Sequence, residues 1–180
     1  MANTAGTYYA YLNTFYRKAR KDLLLRPFSA INNGRRNVVR CADAAKSVRL
    51  TPCDVLYLDP PYNERDYGAY YHFPELLATD QTPRVTGRSG RSRPRSGRSP
   101  FCSKSTARDA LYRVLRNADA RLIVLHYAQQ GLIGHRDIVK MMKELGPTYS
   151  TMWESRAYAS TQACPKPPRF RTRVYVCRPK

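Results

Sequence analysis

Glycine, acidic side chains and long apolar runs are scarce in this 180-residue chain. Its nine glycines include no G-x-G turn between a strand and a helix, so no loop of the kind that lets backbone approach a cofactor closely is evident. Thirteen Asp and Glu stand against 32 Lys and Arg, a net charge of +19 that far exceeds what solubility requires. No apolar stretch reaches the roughly 18 residues needed to cross a bilayer, and the N-terminus has no apolar signal core. The five cysteines, at 41, 53, 102, 164 and 177, are odd in number, form no C-x-x-C pair and have no His at ligand spacing. No zinc site or disulfide framework follows. Cys41 and Cys177 lie in apolar runs and read as buried free thiols, so the expectation is a soluble, cytoplasmic protein with no membrane partner.

What is present points to a polyanion. The cations are mostly Arg, are spread along the chain with one dense loop, and are interleaved with 14 Tyr that can stack on bases, which suits nucleic acid better than a lipid surface. Residues 8–25 (YYAYLNTFYRKARKDLLL) set Tyr8, Leu12, Phe15, Ala19 and Leu23 near helical spacing, with Arg17, Lys18, Arg20 and Lys21 filling much of the other side. That pattern predicts a basic amphipathic helix. Residues 37–41 (NVVRC) predict a short strand, and 44–48 a helical turn. Residues 54–58 (DVLYL), bounded by Pro52 and Pro60, predict a buried strand whose C-terminal end delivers Asp59 to a loop. Ligands of open α/β sheets bind outside the carboxyl ends of parallel strands, so a polar residue there is informative.

From 79 to 100 the pattern gives way to Pro, Gly, Ser and Arg, with Arg84, Arg88, Arg91, Arg93, Arg95 and Arg98 and no acid after Asp80. This predicts a flexible basic loop able to neutralise several phosphates while reading little sequence. Its plainer reading is a solvated linker. Helices are expected over 105–118 and 138–145, a second buried strand over 121–126 (RLIVLH), and two strands, 150–155 and 171–177, that pair as an antiparallel hairpin. The alternation gives an α/β class with a mostly parallel sheet in one domain.

Asp59-Pro60-Pro61-Tyr62 carries a specific chemistry. An aromatic exocyclic amine is a poor nucleophile because its lone pair is delocalised into the ring, and acceptors on its two hydrogens return that density to nitrogen. The carboxylate of Asp59 can accept one hydrogen and the carbonyl of Pro60, held by a fixed φ, the other. Tyr62 can stack on the base once it is extruded from the duplex.

With these residues in view, VLYLDPPYNERDYGAYYHFPEL, residues 55–76, resembles the DNA adenine-N6 methyltransferases that carry D-P-P-Y, then Asn, a Tyr-containing turn and Tyr-His before a helix. Asp59, Pro60, Pro61, Tyr62, Asn63, Tyr67, Tyr71 and His72 match. Residues 3–8 (NTAGTY) resemble the segment before the family's DNA-handling helix, and Asp43 resembles the acid that contacts the adenine of S-adenosylmethionine. Residues 125–132 (LHYAQQGL) are similar to a strand end that more often reads S-Y-N before its Gly-Leu, with His126 and Ala128 as departures.

The resemblance implies an S-adenosylmethionine-dependent enzyme acting on double-stranded DNA. Asp59, Pro60, Pro61 and Tyr62 would be catalytic, and Asp43 and Asp59 would contact the cofactor. Asn63, Tyr67, Tyr71, Arg84, Arg88, Arg91 and Arg93 would contact DNA. No metal is implied, and His72 reads as a structural histidine. The implied fold is an incomplete Rossmann-like methyltransferase sheet, mostly parallel, with a C-terminal antiparallel hairpin. All of 1–180 would be the C-terminal portion of one catalytic domain, because the family's glycine-rich cofactor turn precedes the segment matched by residues 3–8. A truncated reading frame, a misassigned start and one half of a split enzyme all fit that order. Apolar surface at Leu56, Leu58 and Ile123 would then be exposed, predicting poor solubility or a second chain carrying the missing motif. Two other functions stay open: an inactive DNA-binding remnant, and methylation of RNA or of a protein glutamine amide. Plainer roles also stay open for Asp43 as a helix cap, for the tyrosines as packing, and for D-P-P-Y as a strand end and turn.

Overall fold

In chain order the elements are α1 (Ala44–Ser47), β1 (Cys53–Leu58), β2 (Val85–Thr86), β3 (Arg91–Ser92), α2 (Ala107–Asn117), β4 (Ala120–Ala128), α3 (His135–Leu145), β5 (Thr148–Arg156) and β6 (Arg169–Cys177). Single 3-10 turns stand at Val48–Leu50 and Pro100–Cys102. The computed structural model describes residue 29 and residues 31–66, 85–86, 91–92, 97–156 and 169–180. The basic helix expected over 8–25 lies outside them, as do Tyr67, Tyr71 and His72.

The two long helices form because their apolar residues fall on one stripe. In α2 these are Ala107, Ala110, Leu111, Val114 and Leu115, and in α3 they are Ile138, Met141 and Met142, all buried. Helix α3 stops at Gly146, followed by Pro147, which cannot continue it. Both stripes close on one face of the sheet, where Ile123, Leu125 and Tyr127 of β4 alternate inward and meet Tyr175 and Cys177 of β6. Fully burying a Leu or Ile side chain stabilises by roughly 1.5–3 kcal/mol, so this single layer of contacts is the main source of cohesion.

The four long strands form one sheet in the order β1-β4-β6-β5. β1 runs parallel to β4 in the register Leu56↔Ile123 and Leu58↔Leu125. β6 runs antiparallel to both β4 and β5, from Thr148↔Cys177 to Arg156↔Arg169 in the latter pair. The expected mostly parallel sheet is thus a mixed one: β1, β4 and β5 point the same way, but β6 inserts between β4 and β5, so only one of the three pairings is parallel. The expected hairpin pair is present and longer than anticipated, because both strands are nine residues long.

Three expectations are corrected. Residues 37–41 form no strand; Val39 and Cys41 are exposed, and two β-branched residues without a neighbouring strand cannot hold an extended ladder. Cys41 is therefore not a buried thiol, whereas Cys177 is. Ile123 is fully buried, and Leu56 and Leu58 pack against the core, so the bare apolar surface is not theirs. Bare apolar surface lies instead on the opposite face of β1, where Val55 and Tyr57 are 55% and 60% exposed, and on β5, at Tyr149 and Trp153. The β1 run is covered on one side only. Within the arginine-rich stretch, Val85–Thr86 pairs antiparallel with Arg91–Ser92 as a short hairpin.

Candidate active site

β1 ends where Pro60 and Pro61 remove two successive backbone donors, so the ladder cannot continue and the chain leaves the sheet at Asp59. The Asp59 side chain is 61% exposed, and its Oδ1 lies 3.5 Å from Nδ1 of His126, which is 28% exposed. The sheet makes this meeting: with Leu58 opposite Leu125, the next residues in the parallel register are Asp59 and His126.

Beyond the carboxylate, the loop is held at several points. The Leu132 N–H donates to the Tyr62 carbonyl at 2.9 Å, and the Gly131 N–H donates to the Ala128 carbonyl at 3.0 Å. The half-buried Tyr62 ring stands edge-on to Tyr127, centroids 6.3 Å apart at 79°, and lies 6.0 Å from Phe170. Tyr127 is buried and accepts the Ile133 N–H on its hydroxyl; burial pushes its pKa up, so it stays a neutral phenol. Asn63 accepts the Arg65 N–H at 3.0 Å, an Asx turn that rounds the corner after Tyr62. Arg98 then donates to the carbonyls of Glu64 at 2.8 Å and Cys102 at 2.7 Å, and the Cys102 thiol donates to the Arg65 carbonyl. The chain just after Asn63 is thereby tied to residues 98–102.

Asp59, Pro60, Pro61, Tyr62 and Asn63 therefore form one continuous wall at the C-terminal end of the parallel pair. Asp43 is the N-cap of α1, where its Oδ1 accepts the Lys46 N–H at 3.1 Å. Helix α1 is tied to the end of α2, with Asn117 donating to the Ala45 carbonyl at 3.3 Å. Tyr67, Tyr71, Arg84, Arg88 and Arg93 lie outside the described residues, and Arg91 is described only as part of β3. Arg98, expected among the phosphate-neutralising arginines, is instead directed at backbone carbonyls.

Two residues at the wall were not singled out as site residues by sequence reasoning. His126 could have been found, because the apolar runs VLYL and LIVL are each followed by one polar residue, Asp59 and His126, and in-register pairing of Leu58 with Leu125 sets those residues side by side. Gly131 is the other. A Cβ there would lie 2.3 Å from Cε1 of Tyr127 and 3.0 Å from the Ala128 carbonyl oxygen. Gly131→Ala should displace the Tyr127 ring that backs Tyr62 and destabilise the fold by about 1–3 kcal/mol, the usual range for overpacking. Denaturant unfolding checks this, and a wild-type midpoint would show that the turn has room to give.

The model of the D12 class N6 adenine-specific DNA methyltransferases matches residues 1–141, from the N-terminus through most of α3. The chain belongs to this family. Among curated relatives of the D12 chain, the type II methyltransferase M.NlaIII of Neisseria lactamica is 36% identical over 150 residues, covering 81% of this chain and 43% of the relative. M.FokI of Planomicrobium okeanokoites is 32% identical over 146 residues, 81% of this chain and 23% of the relative. The modification methylase StsI of Streptococcus sanguinis is 30% identical over 144 residues, 80% of this chain and 22% of the relative. The D12 chain thus spans less than half the length of these three relatives. No solved structure matches it. Among the described residues no helix is long and apolar enough to cross a membrane.

Proposed function

We propose that the chain is the catalytic portion of an S-adenosylmethionine-dependent, site-specific DNA methyltransferase that modifies the N6 amine of adenine on a Rossmann-like sheet in the cytoplasm, as part of a restriction-modification pair. The observation that carries this reading is the exposed carboxylate of Asp59 followed at once by the proline-fixed carbonyl of Pro60, at the C-terminal end of a parallel strand pair.

Two acceptors on adjacent residues suit an amine with two hydrogens. As Asp59 and the Pro60 carbonyl accept hydrogen bonds from them, the nitrogen recovers its lone pair and moves toward tetrahedral geometry, and one proton leaves to water once the methyl group has been transferred. Pro61 keeps the carbonyl from turning away. Tyr62, braced from behind by Tyr127, offers its ring to the extruded base. No covalent enzyme intermediate is needed. When bound, the donor supplies an electrophilic methyl on a sulfonium. Asp43 and Asp59 would hold it: the cap bond uses one oxygen of Asp43, and a carboxylate has further acceptor sites. Asn63, Tyr67 and Tyr71, with Arg84, Arg88, Arg91 and Arg93, would lie along double-stranded DNA.

One observation favours a second reading. The net charge of +19 alone would serve an inactive DNA-binding remnant that makes phosphate contacts only. Calorimetric titration of S-adenosylmethionine into the 180-residue chain tests this. Binding with a Kd on the order of micromolar, about −8 kcal/mol, followed by methyl transfer to adenine in duplex DNA, is the expected result. Salt-sensitive DNA binding with neither donor affinity nor transfer would leave the remnant reading in its place.

A further inference from the structure

We infer that His126 is a positioning residue for Asp59, holding one oxygen of the carboxylate so that the other is presented to the target amine; this rests on the methyltransferase reading above. A carboxylate at the end of a strand, 61% exposed, rotates freely about its last bond unless something fixes it. Acceptance of a particular hydrogen needs the acceptor within about half an ångström and 10–20° of its productive orientation. His126 is built to supply that restraint. It is anchored in β4, its backbone is paired with Val174 of β6, and its side chain is mostly covered.

Its surroundings single out the partner. The residue opposite it on β6 is Val174, and its same-face neighbours along β4 are Val124 and Ala128, none of which ionises. Arg173 of β6 is paired with Tyr127, so it stands on the sheet's other face. On β1, the group that meets His126 is Asp59, with Nδ1 and Oδ1 3.5 Å apart. That separation is looser than the roughly 2.7–2.9 Å of a tight charge-assisted bond, and catalytic contacts commonly close only when substrate arrives. An imidazole with its proton on Nδ1 donates toward Oδ1 and leaves Oδ2 with its lone pairs free.

Two measurements test the pair. The first is independent of turnover. The chain has three histidines, so two-bond proton–nitrogen spectra of the full chain, assigned with His126→Asn, report which ring nitrogen carries the proton. The expected result is a proton on Nδ1 of His126 in the wild type, shifted to Nε2 in Asp59→Ala. An Nε2-protonated ring in the wild type would overturn the pairing.

The second is kinetic. His126→Ala should lower kcat for adenine methylation about tenfold, since small misplacements of a reacting group cost up to about 100-fold, while KM for DNA and donor stays within about twofold. His126→Asn sets an amide nitrogen near the Nδ1 position and should recover most of the lost rate. An Asn variant as slow as the Ala variant, or an Ala variant as fast as wild type, would overturn the positioning role. The tautomer signature without any turnover would uphold the pair and fail the methyltransferase reading instead.

Discussion

Asp59→Ala should abolish methyl transfer to adenine while DNA affinity persists. Removing one preorganised group from a developing charge lowers kcat by roughly 100- to 1,000-fold in well-studied enzymes, and here one of only two amine acceptors would be lost. The fold should survive. Asp59 is 61% exposed, and its one ion-pair contact among the described residues is the 3.5 Å approach of His126; exposed pairs of this kind are worth about 0–1 kcal/mol. DNA affinity should hold or rise slightly, because the substitution removes a negative charge from a chain of net charge +19. Asp59→Asn sharpens the test: the shape is retained, but one acceptor oxygen becomes a donor that opposes the amine hydrogens. Filter binding at fixed salt, paired with transfer of labelled methyl groups, separates the two properties. Turnover retained in Asp59→Ala would remove Asp59 from the chemistry and with it the proposed function.

How much of this was legible beforehand follows from the range of the forces involved. The helices α2 and α3 were readable because their apolar stripes are local, and the end of β1 because Pro60 and Pro61 forbid a ladder whatever surrounds them. The order of strands was not. Nothing local to residues 169–177 says that they lie between β4 and β5 rather than beyond β5, since that position is fixed by matching Tyr175 and Cys177 to the core face of β4. One-sided cover of β1 was hidden for the same reason: Leu56 and Leu58 alternate with Val55 and Tyr57, and all four are apolar, so the sequence carries no mark of which pair faces the helices. The wall residues were legible as a motif, whereas their supports were not. Arg98 looks in sequence like every other arginine of its stretch, and its bond to Glu64 depends on the chain returning from 34 residues away.

That inward turn of Arg98 sets the second large expectation, a steep dependence of DNA binding on salt. With Arg98 held by two carbonyls, the proposed DNA-contacting stretch from 84 to 98 would offer Arg84, Arg88, Arg91, Arg93 and Arg95 to phosphates. Each phosphate neutralised on duplex DNA contributes about −0.9 to the slope of log K against log salt, so five contribute roughly −4.5, a loss of about 500-fold in affinity between 50 and 200 mM. Replacing all five with Gln should flatten the slope by that amount and weaken every duplex sequence alike, because phosphate contacts set position rather than sequence preference. Arg98→Gln should do the reverse: the slope stays, and methyl transfer falls because the loop that carries Tyr62 and Asn63 loses its bracket. Binding titrated over a salt series by fluorescence anisotropy distinguishes them. If the fivefold replacement leaves the slope unchanged, the cations that meet DNA lie elsewhere, and the basic segment at 8–25, with Arg17, Lys18, Arg20 and Lys21, becomes the next to neutralise.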